Sequence, residues 1–597
     1  MESTSAQTSK PMTIAALASF AAERHGDRPA IRHKQDGEWR DRSFAEVGAT
    51  VREIALGLID LGIEPGDRVC ILANTAPEWT YAGLAISQAG AVVVPIYPTN
   101  SPKECEWVAG NSGARAVICE NAAQVAKITA VKDGLPELRT IVVIDPADDA
   151  EGLETLDDLR ARGGDAAELD RRAAAVGADD PFMFIYTSGT TGPPKGCMLS
   201  HGNGRAVCDM AAEMKTVDAG DVAYLYLPLA HVFAQLIELA GFYVGATLTY
   251  FSGDTKRIVP ELAEVKPDFF PSVPRIFEKL YTLGSAQLEQ ASPEQRQQFR
   301  AAVELGVKVR ALEARGEPVP DELREPFEQA DKQIFAGVRA IFGGRLREAT
   351  TGAAPIAPEI LEFFYAAGCP VLEGYGMTET TGVGTVSTRQ DFKFGTVGRP
   401  MPGVEVKIAG DGEVLMRGPN IFLGYYGNEQ ATSEVLIDGW LHTGDLGERD
   451  DDGYLRITGR KKDIIITAGG KNLTPANLEN ELKQSRFVSQ AVMYGDRRPF
   501  PVALITLDPE EIAPWAAERD LPQDLASLAT SPEVRELIQG VMDSVNSNYA
   551  QVEQIKKFVI LDHDLSLETG ELTPTLKVKR NVVYDKYADV FDKLYSR

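Results

Sequence analysis

Apolar, β-branched runs alternate with helical segments along the first third of the chain. RVCIL (Arg68–Leu72) predicts a buried strand, EWTYAGLAISQAG a helix ending at Gly90, and AVVVPIY the next strand. PKECEWVAGNSG predicts another helix, ARAVICE a strand, and TIVVID (Thr140–Asp145) one more. Apolar strands separated by helices are the mark of a parallel, doubly wound sheet, because crossover helices cover both of its faces. A polar, acidic stretch from Pro146 to Pro181 then reads as a long surface excursion. The alternation resumes with PFMFIY, a strand that runs directly into YTSGTTGPPKG, and continues through the strands VAYLYLPLAH and ATLTYF. Residues 285–333 differ: Glu, Gln, Arg and Ala dominate, and EQRQQFRAAVELGVKVRALEARG predicts a solvated helix closed by Pro318, Pro320 and Pro326, together an insertion. Gly395 to Trp440, dense in glycine and β-formers, predicts a small antiparallel unit.

A last boundary falls near GRKKD (Gly459–Asp463), and the strands and helices beyond it suffice for a compact terminal domain. The expected fold is α/β. A large N-terminal domain of doubly wound mixed sheets plus a small β-unit spans residues 1–460, and a small α+β domain spans 461–597. No internal repeat or low-complexity tract interrupts this order.

At 597 residues the chain is too long for a single hydrophobic core. Its 87 acidic against 61 basic residues give a net charge of -26, which argues against nucleic acid as a partner and against electrostatic attachment to anionic lipid. Six scattered cysteines, with no CxxC pair, disfavour a disulfide framework or a zinc site and fit a reducing cytoplasm. TIAALASFAA near the N-terminus lacks a basic flank and reads as a first amphipathic helix rather than a targeting signal. No apolar run reaches the roughly 18 residues of a membrane span, so no transmembrane segment is expected.

YTSGTTGPPKG (Tyr186–Gly196) crowds hydroxyls, glycines and one lysine behind a strand. Exposed backbone N–H groups, the hydroxyls of Thr187, Ser188, Thr190 and Thr191, and the Lys195 ammonium suit a polyphosphate. It is not a Walker A loop, since Lys195 lies between Pro194 and Gly196 instead of being preceded by glycine and followed by a hydroxyl.

Five motifs in order carry a resemblance: YTSGTTGPPKG, GYGMTET (Gly374–Thr380), DGWLHTGDLG (Asp438–Gly447), GRKKDIIITAGGKN (Gly459–Asn472) and ELTPTLKVKR (Glu571–Arg580). Together they resemble the adenylate-forming acyl-CoA synthetases over nearly the whole chain. VPRIFEKL (Val273–Leu280), the helical insertion and TPTLKVKR are most similar to the long-chain fatty acid–CoA ligases of that superfamily.

The resemblance implies two steps. A fatty acid carboxylate attacks the α-phosphate of ATP to give acyl-AMP and pyrophosphate, and the thiol of coenzyme A then takes the acyl group. Thr187, Ser188, Gly189, Thr190, Thr191, Gly192 and Lys195 would cradle the phosphates, with Thr187 and Glu379 as ligands for Mg²⁺ and Thr378 at the α-phosphate. Tyr375 would stack on adenine, Gly352 in TTGAAP would allow close approach, and Gly374 belongs to the same nucleotide site. Asp445 would take the ribose hydroxyls, with Arg460 as its partner, and His231 would flank the reacting carboxylate. Lys577 is the lysine carried in from the terminal domain, although this chain reads Thr-Leu-Lys where several relatives have Ser-Gly-Lys. A lysine over the α-phosphate would obstruct the thiol, so the terminal domain is expected to be mobile and to turn about a hinge at Lys462. Gly469, Gly470 and Lys471 would then line the coenzyme A channel.

Plainer readings stand beside these: Tyr375 or His231 as core residues, Glu379 as a surface carboxylate, Asp463 as a hinge-flanking charge, and Lys577, Lys579 and Arg580 as a solvated basic face. At the level of function, the alternatives are a fatty acyl-AMP ligase serving a carrier protein and a non-catalytic lipid-binding relative. The absence of a G-x-S-x-G elbow sets aside a serine esterase. Transient, peripheral membrane contact is compatible with a fatty acid substrate, while oligomeric state and chain-length preference are not legible in the text.

Overall fold

Strands that are apolar on both faces lie where helices can cover both faces. Val69–Leu72, Val92–Val94 and Val117–Cys119 are all buried in the computed structural model, which describes residues 13–146, 153–187, 193–285, 292–468, 471–573 and 577–596. They form the parallel centre of an eight-stranded sheet, in the order Gly424–Tyr425, Lys195–Ser200, Pro181–Thr187, Val92–Ile96, Arg68–Leu72, Ala114–Cys119, Thr140–Val143 and Glu154–Thr155. At one margin the direction reverses: Lys195–Ser200 runs antiparallel to Pro181–Thr187, with Thr187 opposite Lys195.

A nine-stranded sheet holds Glu348–Thr351 and Val371–Tyr375 side by side and parallel near its centre. A five-stranded antiparallel unit carries Glu413–Arg417, Trp440–Arg449 and Leu455–Arg460, so the predicted β-unit extends past Trp440. Beyond Lys461, a three-stranded sheet of Val488–Tyr494, Val502–Leu507 and Lys557–Ile560 is buried on both faces. One face packs on Pro475–Leu482 and Pro532–Asn546, the other on Arg580–Lys586 and Ala588–Tyr595. Among the described residues no helix is long and apolar enough to cross a membrane.

Two expectations are corrected. The stretch after Pro146 is no surface excursion, because it contains the helices Leu156–Arg162 and Ala166–Ala175, with Leu156, Leu159 and Leu169 in the core. Thr155 and Asp158 form a reciprocal cap, and Asp165 caps the second helix, so several of the acidic residues that suggested solvent are helix starts. Gly57 on the neighbouring helix makes room, since a Cβ there would lie 2.1 Å from the Leu159 carbonyl oxygen.

The second correction concerns residues 285–333. Pro293–Ala314 buries Gly306 and Val309, and Phe299 stacks on Phe363 of the helix Pro358–Ala366 at 5.7 Å. Pro326 closes nothing: it lies inside the helix Asp321–Ala330. Phe299, Ala302, Val303 and Gly306 recur at helical spacing, a narrow stripe that a polar composition conceals.

Candidate active site

The nucleotide motifs converge because of strand order. Tyr375 ends the strand Val371–Tyr375, and Asp445 and Arg460 lie opposite each other on paired strands of the β-unit. The Tyr375 hydroxyl donates to Asp445 Oδ2 at 2.6 Å, and Arg460 Nε donates to Asp445 Oδ1 at 2.9 Å. Both carboxylate oxygens are thus fixed while keeping lone pairs for further donors. Burial first, and the Asp445 charge second, push the Tyr375 phenol well above its usual range, so it stays a donor. Gly352 directly follows the neighbouring strand Glu348–Thr351, and a Cβ there would stand 3.1 Å from the Gly374 carbonyl oxygen.

Thr378 and Glu379 sit on the short 3-10 turn Thr378–Thr380. Glu379 is buried, accepts from the Tyr425 hydroxyl at 2.7 Å, and forms no ion pair among the described residues. Tyr425 reaches it because Gly424–Tyr425 adds to the sheet beside Lys195–Ser200, and the Lys195 ammonium lies 5.0 Å from the Tyr425 ring centre. The Thr187 hydroxyl faces the Cys197 sulfur at 3.8 Å. Thr187, Lys195, Tyr375, Thr378, Glu379, Asp445 and Arg460 all line one cleft of about 3560 Å³.

Lys577 lines the same cleft, from the terminal domain. It is presented by a small hairpin: its N–H donates to the Thr573 hydroxyl at 3.0 Å, and its carbonyl accepts from the Thr573 N–H at 2.8 Å. The Lys577 side chain touches solvent in the cleft, yet protein crowds it at slightly longer range. That partial dehydration, reinforced by Arg460, lowers its pKa against the opposing pull of Asp445 and Glu379. Arg580, three residues on, is no part of a solvated basic face: it forms a two-point pair with Glu479 and stands 3.5 Å from Asp463. Two ion pairs join the domains nearby, Arg275 with Asp508, and Lys279 with Glu510 at 3.3 Å.

His231 caps the helix Val232–Val244 with its Nδ1 accepting the Phe233 N–H at 3.2 Å. Burial, and then the Lys577 charge, lower its pKa to about 3, so the ring is neutral and its proton belongs on Nε2. Val232, Leu236, Ile237, Ala240, Phe269 and Val273 line the same cleft as His231 with apolar side chains. Such a wall suits a hydrocarbon chain.

Ser188, Gly189, Thr190, Thr191, Gly192, Gly469 and Gly470 lie outside the described residues. Lys471 pairs with Glu553 at 3.0 Å within the terminal domain. Lys462 lies in the short turn Lys461–Asp463 between the domains. Sequence reasoning missed Tyr425, Asn420 and Glu373. Asn420 Nδ2 donates to the carbonyls of Thr380 and Val383 and so shapes the turn after Glu379. Glu373 lines the cleft, where burial pushes its carboxyl up to about 8. Only its place two residues before Tyr375 could have drawn attention to it.

The profile of AMP-binding enzymes matches residues 19–426, and that of the AMP-binding enzyme C-terminal domain matches residues 462–597. The chain is 41% identical over 574 residues to the long-chain-fatty-acid–CoA ligase FadD15 of Mycobacterium bovis, covering 94% of this chain and 93% of that one. It is 35% identical to the long-chain-fatty-acid–CoA ligase ACSBG2 of Xenopus laevis, covering 98% and 84%. Its fold is that of the adenylation domain of a carboxylate reductase from Mycobacterium chelonae, with TM-score 0.78, 21% identity and 99% and 92% coverage. It is also that of o-succinylbenzoate CoA synthetase from Bacillus subtilis, with TM-score 0.69, 21% identity and 95% and 97% coverage.

Proposed function

The chain belongs to the AMP-binding enzyme family, and from that premise we propose that it is an ATP-dependent long-chain fatty acid–CoA ligase. One observation carries the reading: Lys577 meets Glu379, Asp445, Arg460 and His231 in a single cleft whose far wall is apolar. Charged groups at one end and hydrocarbon lining at the other match a substrate that is a carboxylate on a long chain.

In the first step the acid's carboxylate oxygen attacks the α-phosphorus of ATP, and pyrophosphate leaves with the electron pair of the broken P–O bond. Both reactants are anions, so the barrier falls with positive charge held in place beforehand. Lys577 supplies it at the α-phosphate and the bridging oxygen, Lys195 at the departing phosphates. The neutral His231 ring donates from Nε2 to the carboxylate without neutralising the nucleophile by full ion pairing. Asp445, held by Tyr375 and Arg460, accepts the ribose hydroxyls.

Glu379 and the Thr187 hydroxyl fit Mg²⁺, a cation that takes oxygen ligands and needs only one or two from the protein when phosphates supply the rest. Among the described residues no set of three acidic, His or Cys side chains competes with that arrangement. The bound ion would neutralise charge on the phosphates.

In the second step coenzyme A gives up its thiol proton to solvent, sulfur attacks the acyl carbonyl, and AMP leaves with the electrons of the C–O bond. Lys577 must withdraw first. Lys462 is the place for the turn, since Lys461 is tied to Asp411 and Glu413 of the large domain while Asp463 lies against Arg580 of the small one. Such a turn would bring Lys471 and its loop toward the cleft.

The test is isotope exchange between pyrophosphate and ATP with saturated acids of graded length, followed by thioester formation on adding coenzyme A. Exchange and thioester that both require a long-chain acid support the reading. Exchange with no thioester would replace it by an acyl-AMP ligase, and no exchange with any acid would end it.

A further inference from the structure

The strand ends carrying Thr187 and Lys195 are held from behind by one helix, Pro102–Ser112, which belongs to none of the nucleotide motifs. Trp107 Nε1 donates to the Pro194 carbonyl oxygen at 2.8 Å. The Tyr186 hydroxyl donates to Asn111 Oδ1 at 2.6 Å. Pro194 directly precedes Lys195 and Tyr186 directly precedes Thr187, and these two nucleotide-binding candidates face each other in register. Trp107 and Asn111 are four apart, so they share one face of the helix. That helix touches both sides of the site at their roots.

The helix is itself a fixed strut. Its start is closed by a reciprocal cap between Ser101 and Glu104, with Pro102 in the first turn. Its last carbonyls, on Ser112 and Gly113, accept from Arg68 at 2.6 and 3.0 Å, and Cys105, Val108 and Ala109 bury its inner face. The Tyr186 ring also lies across Gly196, where a Cβ would stand 3.0 Å from Cζ, so the phenol cannot shift without moving the strand bearing Lys195. Trp107 is 38% exposed, an unusual cost for an indole with no packing role deep in the core. It borders a groove of about 1130 Å³ closed on the far side by Leu567, Glu568 and Gly570 of the terminal domain.

We infer that Trp107 and Asn111 are positioning residues for the first step, setting the separation and orientation of Thr187 and Lys195 at which ATP's polyphosphate is gripped. The inference rests on the ligase reading above. It concerns ATP alone, because acyl-AMP has lost the β- and γ-phosphates and the diphosphate of coenzyme A is expected in the separate channel near Lys471.

That asymmetry supplies the test. Trp107→Phe keeps an aromatic ring, smaller than the indole, and removes the N–H; Tyr186→Phe removes the hydroxyl that Asn111 receives. Each is expected to raise KM for ATP in pyrophosphate exchange about five- to tenfold, the scale of one net hydrogen bond, while KM for the fatty acid and the rate from supplied acyl-AMP plus coenzyme A stay within about twofold. If one variant does not fold, the other reads the same clamp from its opposite side. Equal losses in both half-reactions, or an unchanged KM for ATP, would overturn the inference. Absence of exchange in the unaltered protein would instead remove the ligase reading beneath it.

Discussion

The Tyr375 hydroxyl and Asp445 Oδ2 meet at 2.6 Å across 70 residues of sequence, joining the end of a central strand to the antiparallel unit. The bond orients a buried carboxylate before any ribose arrives. Tyr375→Phe should therefore raise KM for ATP by roughly tenfold, the lower range for a hydrogen bond to a charged group, and raise KM for supplied acyl-AMP in the same direction, because both ligands carry the ribose that Asp445 receives. Asp445→Asn should cost more, because it also removes the charge facing Arg460. Steady-state kinetics with ATP varied will order the two.

Lys577 of the terminal domain interacts electrostatically with Arg460, Asp445, Glu379 and His231. Lys577→Ala should slow pyrophosphate exchange by about 10²–10³-fold, the scale of one lost preorganised transition-state donor. Thioester formation from supplied acyl-AMP should persist. A parallel collapse of both half-reactions would count against the two-arrangement scheme.

The pH profile of the first step follows from two directions. Partial dehydration of the exposed Lys577 by protein crowding around it, then Arg460, lowers its pKa, and the ammonium is the active form. Exchange should thus fall as pH rises through a value below that of an ordinary lysine, about 10.4. His231, at about 3, is neutral throughout any practical range and contributes no acid limb. Lys577→Arg, whose guanidinium does not deprotonate, should abolish the alkaline limb while lowering the plateau. An alkaline limb that Lys577→Arg leaves in place would assign it elsewhere.

Arg275 and Lys279, one turn apart on the helix Pro274–Ser285, pair with Asp508 and Glu510 at the start of the helix Pro509–Ala517. These contacts exist with Lys577 in the cleft. Reversing both charges, Arg275→Glu with Lys279→Glu, should slow exchange about three- to tenfold and leave the acyl-AMP plus coenzyme A reaction unaffected or faster, as partly exposed pairs contribute little each. Raising salt should act on the unaltered protein in the same direction, by less.

The order of motifs was readable because each is a local device: hydroxyls and glycines after a strand, a tyrosine before Thr378 and Glu379, a lysine near the end. The partners were not. Tyr425 sits 46 residues from Glu379 and reaches it only because Gly424–Tyr425 pairs with the strand Lys195–Ser200, a neighbour set by sheet order. Trp107 reads as one more amphipathic position in PKECEWVAGNSG until the sheet brings Pro194 beneath it. Likewise Leu159 and Leu169 vanish in an acidic stretch, since three-dimensional burial needs only one apolar side chain per turn. Short polar helices with capping residues look like loops when composition alone is weighed.

Lys461 is bolted to Asp411 and Glu413, while Asp463 stands against Arg580 two residues later. If the lobes turn at Lys462 as proposed above, free play between them is squeezed into a single link of backbone. A turnstile built on so slim a spindle would admit one visitor per swing: while the phosphates are being handled the thiol would wait outside, and once the thiol entered, no fresh nucleotide would be processed.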